Sequence, residues 1–331
     1  MDFKRLKQAS ADSIGRATYN PKKLAMLHIG ATLLLSILLT VINYFLVQGI
    51  NSTTGLSNMN TRAILVTAQA VLSVINLVAM PFWTIGFLAV ALRTARWSNA
   101  LPGDLLDGFR HFGPVLRLYL LQFAIYMLVA FACSQVASIL YSFTPYLQEV
   151  TASLQEAMAA GQTTLSDVDL AALLPKLMPM YGIFLVLFCA VAIPLFYRFR
   201  MSFFAVADGE TSARKALGLS TRMLRNKKLQ LFKLDLRFWW YYGLQLLLAT
   251  LGYAGTLLDL TEISLPYSKD LWVYGAFALY CILQLIISWQ FSMKVETTYA
   301  HYYDELKAQM TPEPNPFNQA NPWQNNWKNQ E

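Results

Sequence analysis

Apolar residues along this chain collect into six long charge-free runs, at 24–61, 63–92, 118–148, 177–197, 238–258 and 271–293. A helix needs roughly 20 consecutive apolar residues to cross the hydrocarbon core of a bilayer, and each run supplies enough. The pattern predicts an all-α, polytopic membrane protein. Its six transmembrane helices fall at about 24–48, 63–92, 116–142, 177–197, 238–258 and 271–293, within one domain spanning 24–307. A basic segment, 1–23, precedes this domain, and a tail rich in Pro, Asn and Gln, 308–331, follows it. Pro81 and Pro194 lie inside the second and fourth spans, where a missing amide donor favours a kink or tilt. The first run is too long for the core of a cleaved signal peptide and is read as a retained span.

The connections add shorter elements. A short outer turn, 51–55, follows the first span. Pro102-Gly103 breaks the chain, and Asp104 is placed to cap a short helix through Phe112. Thr211 or Ser212 caps a second short helix, through about Leu224. At 100° per residue that helix puts Ala213, Ala216, Leu217, Ser220, Met223 and Leu224 on one face. Arg214, Lys215, Arg222 and Arg225 fall on the other. Such a pattern predicts a helix lying in the headgroup plane, so two cytoplasmic interfacial amphipathic helices are expected beside the six spans. The loop 143–176 predicts a helix over Tyr146–Ala159 and another starting at Ser166-Asp-Val-Asp169. The last span is expected to continue as a helix to Lys307. The second and third spans bracket the first short helix as the fourth and fifth bracket the second, a shared architecture without measurable sequence repetition.

Charge orients this layout. Of 26 Lys and Arg, 23 lie in 1–23, 93–117, 198–237 and 294–331, and the other three are Arg62, Lys176 and Lys269. Basic loops stay cytoplasmic, so both termini are expected inside, in the plasma membrane, and an odd number of spans would destroy the separation. The net charge of +7 equals that of 198–237 alone. Juxtamembrane charge of this kind suits anionic inner-leaflet lipids, and nucleic acid is not expected as a partner. The proposed lipid contacts are Arg214, Lys215, Arg222, Arg225, Lys227 and Lys228, with Phe238-Trp-Trp-Tyr-Tyr242 as an aromatic belt at the inner interface.

Little in the chain suggests catalysis. It has no phosphate-binding G-x4-G-K-[ST], no H-E-x-x-H and no G-x-S-x-G. Cys133, Cys189 and Cys281 each sit in an apolar run, and no acidic residue has ligand spacing to His28, His111 or His301. No catalytic residue, cofactor or metal is expected. The spans carry no Asp, Glu, Lys or Arg at depth, which speaks against a proton- or sodium-coupled pump. Gln69, Asn76, Gln122 and Gln245 are the residues that would line a polar cavity; bonding between helices is the plainer role for them. Ala130, Ser134 and Ser138 form a small-residue stripe suited to close helix packing. In the tail, Asn315-Pro-Phe317 and Asn321-Pro-Trp323 offer a linear motif for a protein partner, against a low-complexity tail with no role.

Several of these segments carry a resemblance. Asp104-Leu-Leu-Asp-Gly108-Phe109-Arg-His-Phe112 is similar to a D-L-x-x-G-F-x-x-F stretch of a bacterial membrane family defined by a domain of unknown function, the 975 family. Ile193-Pro194, Ala216-x3-Ser220-x2-Met223-Leu224, Lys228-x-Gln-Leu231-Phe232-x-Leu234-x-Leu236 and Thr298-x4-Tyr303-x2-Leu306 continue it. Where that family has I-P-G and S-F-I-G-W, this chain lacks the Gly and reads Arg237-Phe-Trp-Trp-Tyr241. The resemblance covers about half of the chain and implies a bacterial plasma-membrane protein of about six spans, without an activity. Taken together, the residues predict a non-enzymatic integral membrane protein working through lipid or protein contacts at the inner face. The alternative is a transporter or permease-like protein for a small polar or amphipathic solute.

Overall fold

The computed structural model describes residues 2–52, 59–159, 170–253 and 269–310, and every regular element among them is helical. The order is α1 (Phe3–Arg16), α2 (Pro21–Ser52), α3 (Met59–Ala95), a 3-10 turn (Pro102–Leu106), α4 (Asp107–Arg110), α5 (Phe112–Ser142) and α6 (Pro145–Ala159). There follow α7 (Leu170–Phe199), α8 (Ser202–Ala207), α9 (Ala213–Met223), α10 (Lys228–Leu236), α11 (Trp239–Gly252), α12 (Lys269–Ile287), a π turn (Ser288–Ser292) and α13 (Met293–Ala308).

Among the described residues, five segments are long and apolar enough to cross a membrane: Pro21–Ile50, Thr61–Ala95, Phe112–Ser142, Pro175–Ala207 and Trp272–Ala308. The predicted span 238–258 appears as α11, which is 14 residues long. Its predicted end, 254–258, lies outside the described residues, as do positions 53–55 of the outer turn, the helix start at 166–169 and both tail triplets. The predicted helix at Tyr146–Ala159 is α6, and the last span does continue, through the π turn, to Ala308.

The long helices pack as neighbours in sequence: α2 on α3, α5 on α7, α11 on α12. Away from their basic ends they cover one another little. Leu34 on α2 is 70% exposed, Leu128 on α5 69% and Val186 on α7 69%. Exposed apolar side chains of this kind are penalised in water and not in an apolar solvent such as a bilayer. The α5–α7 seam corrects one expectation. Cys133, Ala137 and Tyr141 are the buried stripe of α5, not Ala130, Ser134 and Ser138. Ser134 and Ser138 donate to carbonyls of their own helix, Phe131 and Ser134, and so need no partner across the seam. Tyr141 closes the seam by donating to the Lys176 carbonyl at 2.9 Å.

The close-packed core sits at the opposite, basic end. Residues 82–95 of α3, the 3-10 turn, α8, α9, α10, α13 and α1 all bury side chains there. The Asp104–Phe112 stretch is a wedge driven against α3 by two reciprocal glycine contacts. A Cβ on Gly86 would lie 1.9 Å from the Leu105 carbonyl oxygen, and one on Gly108 1.8 Å from that of Phe82. Only hydrogen fits in either place. Phe109 and Phe112 then stack on Phe82, with ring centroids 5.4 and 4.8 Å away. Asp104 caps from the third position of the 3-10 turn, not as the residue that opens the helix through Phe112. Its carboxylate accepts from the Leu101 amide at 2.7 Å and closes the 3-10 turn instead.

The segment 1–23, expected only as a basic extension, contains a capped helix. Asp2 Oδ1 accepts from the Lys4 amide at 2.9 Å, and Leu6, Ser10 and Ser13 are buried. Helix α1 lies against α13.

Helix α9 requires a second correction. The predicted apolar face is real: Ala213, Ala216, Leu217, Ser220, Met223 and Leu224 are all buried. It is covered by α5, α7 and α8, however, not by headgroups. Ser220 donates to the Arg198 carbonyl at 2.7 Å. Amphipathic spacing fixes which face is buried and leaves open what buries it.

Candidate functional site

Three ion-pair networks hold the basic end together, each built where a long helix stops. In the first, Arg93 at the end of α3 binds Asp104 and also Asp107, Nη2 to Oδ2 at 2.6 Å. Arg110 reaches the other Asp107 oxygen at 3.0 Å. In the second, Arg96 donates to Asp208 at 2.5 Å and to Asp304 at 2.6 Å, while Lys307 meets Asp208 at 2.5 Å. Burial alone would raise the Asp208 carboxyl, but hydrogen bonds from Arg96 and Lys307 overcome it and hold the group below its usual range.

The third network is the most enclosed. Asp235 on α10 accepts from Arg200 at 2.7 and 2.6 Å, from the Tyr197 hydroxyl at 2.7 Å and from the Tyr299 hydroxyl. Arg200 also donates to the Tyr242 hydroxyl at 3.0 Å, and its guanidinium lies 4.2 Å from the Tyr299 ring centroid. One carboxylate therefore ties the ends of α7 and α10 to the middle of α13, and Arg200 adds the start of α11.

Around these networks the surface is basic. Arg214, Lys215, Arg222, Arg225 and Lys228 are exposed, and Lys227, half-buried, donates to Gln309. Next to them lies a feature that the periodicity did not single out. Helix α10 buries Leu231 and Leu234 against the core, yet Leu229 is 73% exposed and Phe232 and Leu236 are exposed beside Lys228 and Lys233. Apolar on both sides, it has no amphipathic signature. Trp239, 69% exposed, extends the same apolar strip into α11.

The four predicted cavity residues are not brought together. Asn76 lines an open cleft of about 540 Å³ with Ser73, Thr84, Tyr119 and Phe203. Gln122 is buried and donates to Ser202 Oγ at 2.7 Å, the bond between helices that the plainer reading expects. Gln69 lies about two turns from Asn76 along α3. Gln245 sits beside Tyr241 on α11.

The histidines have separate partners. His28 stacks on Phe87 at 4.5 Å, His111 Nδ1 lies 2.9 Å from the Asp107 carbonyl, and His301 Nε2 is 3.1 Å from Ser13 Oγ. Among the described residues no three His, Cys, Asp or Glu side chains are grouped to hold a metal ion. The chain matches no family model, no curated protein and no solved structure.

Proposed function

We propose that this chain is a six-span plasma-membrane protein with both termini inside, working through anionic lipid at the inner face and not by catalysis. The observation that carries this reading is the succession, within 213–240, of three exposed surfaces: the basic side of α9, the Leu229–Phe232–Leu236 strip of α10, and the tryptophans that open α11. Apolar side chains reach the acyl boundary while nearby Lys and Arg meet phosphates. The three networks serve that role by fixing the ends of the long helices in one platform. The similarity of Asp104–Phe112 to the 975 family suits a bacterial protein of this kind.

The test uses the full-length protein reconstituted in neutral bilayers and in bilayers containing phosphatidylglycerol, read by hydrogen exchange. Each Lys or Arg near an anionic surface is worth about 1 kcal/mol. Exchange over 213–237 is therefore expected to slow by about tenfold or more in the anionic bilayers. High salt should reverse this, as should glutamine at Arg214, Lys215, Arg222, Arg225, Lys227 and Lys228. Equal protection in neutral bilayers would refute the reading.

A second reading, a permease for a small polar solute, has the Asn76 cleft in its favour. It needs solute access through that cleft, so Asn76→Leu should abolish uptake into proteoliposomes if transport is the activity. Proteoliposomes that take up no polar solute would remove this alternative.

A further inference from the structure

We infer that a pocket between α1, the start of α11 and the π turn–α13 junction binds the phosphate headgroup of one anionic phospholipid. The pocket, about 310 Å³, is lined by Lys7, Ser10, Lys294 and Thr298 at its polar part and by Phe238, Trp240, Phe291 and Val295 elsewhere. This inference rests on the membrane reading above and gives the inner-face lipid a defined seat.

The first ground is unbalanced charge. Arg93, Arg96, Arg110, Arg200 and Lys307 each meet a carboxylate. Lys7 and Lys294 meet none among the described residues, and no Asp or Glu lines their pocket. Lys7 does not project freely into solvent. Its Nζ donates to the Arg237 carbonyl at 3.5 Å and lies 4.5 Å from the centroid of the Phe238 ring. Burial, and after it the positive charge of Arg237, lower its pKa. A bound anion would relieve both.

The second ground is the direction of the pocket. Phe291 precedes Lys294 by three residues, which along a helix is about 4.5 Å nearer the apolar end. Trp240 stands edge-on to Phe291 at 4.6 Å and opens the apolar helix α11. Lys7, Lys294 and the two hydroxyls thus line one end together with Phe238, whose ring lies under Lys7, and Trp240 and Phe291 line the end toward the long helices. Ser10 and Thr298 both donate to the Lys294 carbonyl, at 3.1 and 2.6 Å, which spends their protons there, fixes the wall from which Lys294 projects, and leaves the two ammonium groups as the donors to a phosphate. A free phosphate would use one end of this pocket only, whereas a phospholipid uses both.

The test begins with full-length protein shown to withstand alkaline extraction from phosphatidylcholine bilayers, so that a failed membrane reading is recognised before the pocket is examined. Delipidated protein in detergent is then titrated with phosphatidylglycerol or with phosphatidylcholine of the same chain length, and bound lipid is counted by native mass spectrometry. One phosphatidylglycerol per chain is expected to bind about tenfold or more tightly than phosphatidylcholine, as charge-assisted phosphate contacts predict. Lys7→Gln with Lys294→Gln should remove that preference, and Trp240→Ala should weaken lipid binding. Glutamine at Lys4 and Arg5, exposed on α1 and not lining the pocket, should leave this one lipid in place. On wild-type protein, phosphatidylglycerol should protect Lys7 and Lys294 from acylation while Lys4, exposed on α1 and not lining the pocket, stays reactive, an arm that depends on no variant folding. Unprotected Lys7 and Lys294, equal affinity for the two lipids, or displacement of the lipid by inorganic phosphate at equal concentration would each overturn the proposal.

Discussion

Gly86→Ala and Gly108→Ala should each cost the protein most of its stability, although each adds a single methyl group. The added carbon would meet the Leu105 or Phe82 carbonyl oxygen at under 2 Å. Both obstacles are backbone, so no rotamer change can relieve the clash. The wedge would have to leave α3. With it would go the stacking of Phe109 and Phe112 on Phe82 and the alignment of Arg93 with Asp104 and Asp107. Substitution effects beyond about 4–5 kcal/mol are exceptional and come from overpacking of this type. Gly218→Ala is the matched control. It lies inside α9 with nothing within 4 Å of the added carbon, and Ala should stabilise it by about 0.5–1 kcal/mol. Thermal melting in detergent should therefore show the first two variants unfolded or melting far below wild type, and the control at or above it.

Asp235→Ala should have the second-largest effect. The Asp235 side chain is 13% exposed and that of Arg200 17%. Removing the carboxylate leaves the Arg200 guanidinium without its bonded carboxylate and the Tyr197 hydroxyl without its acceptor, while the Tyr299 hydroxyl keeps only Tyr242. Breaking one side of a buried pair costs about 3–5 kcal/mol, largely through the charge left behind. Replacing both partners, by Arg200→Met with Asp235→Leu, should recover much of that loss, because an apolar pair is not penalised for desolvation. A double-mutant cycle measures this. If the double variant is no more stable than Asp235→Ala, the charge left unpaired is not the source of the loss.

Much of this architecture was legible in the chain because it depends on local rules. Charge-free runs of spanning length marked the long helices, and spacing at 100° per residue identified every buried residue on α9. What sequence could not supply was the identity of the covering surface. Ala213 and Leu217 look the same whether they face lipid or the ends of α5 and α7, and here they face protein. The exposed strip of α10 was hidden for the converse reason. Apolar on both faces, it has no periodic signal, and its accessible side emerges only when the core claims Leu231 and Leu234. The carboxylate networks were equally out of reach, since Arg96 and Asp304 are 208 positions apart. The Asp104–Phe112 motif could be noticed, but its reason lies in Gly86 and Phe82 on another helix. Gln69, Asn76, Gln122 and Gln245 were grouped by polarity alone, a criterion that takes no account of which helices touch.

The account stands on one arrangement: long apolar helices crossing a bilayer, with the basic platform on its inner side. Cysteine labelling tests it most directly. In a variant with Cys133, Cys189 and Cys281 replaced by Ala, single cysteines are introduced as Glu149→Cys, Ser52→Cys or Arg225→Cys, and whole cells are treated with a membrane-impermeant maleimide. Positions 149 and 52 are expected to label in intact cells and position 225 only after permeabilisation. Labelling of position 225 in intact cells, or protection of either of the other two, would contradict it.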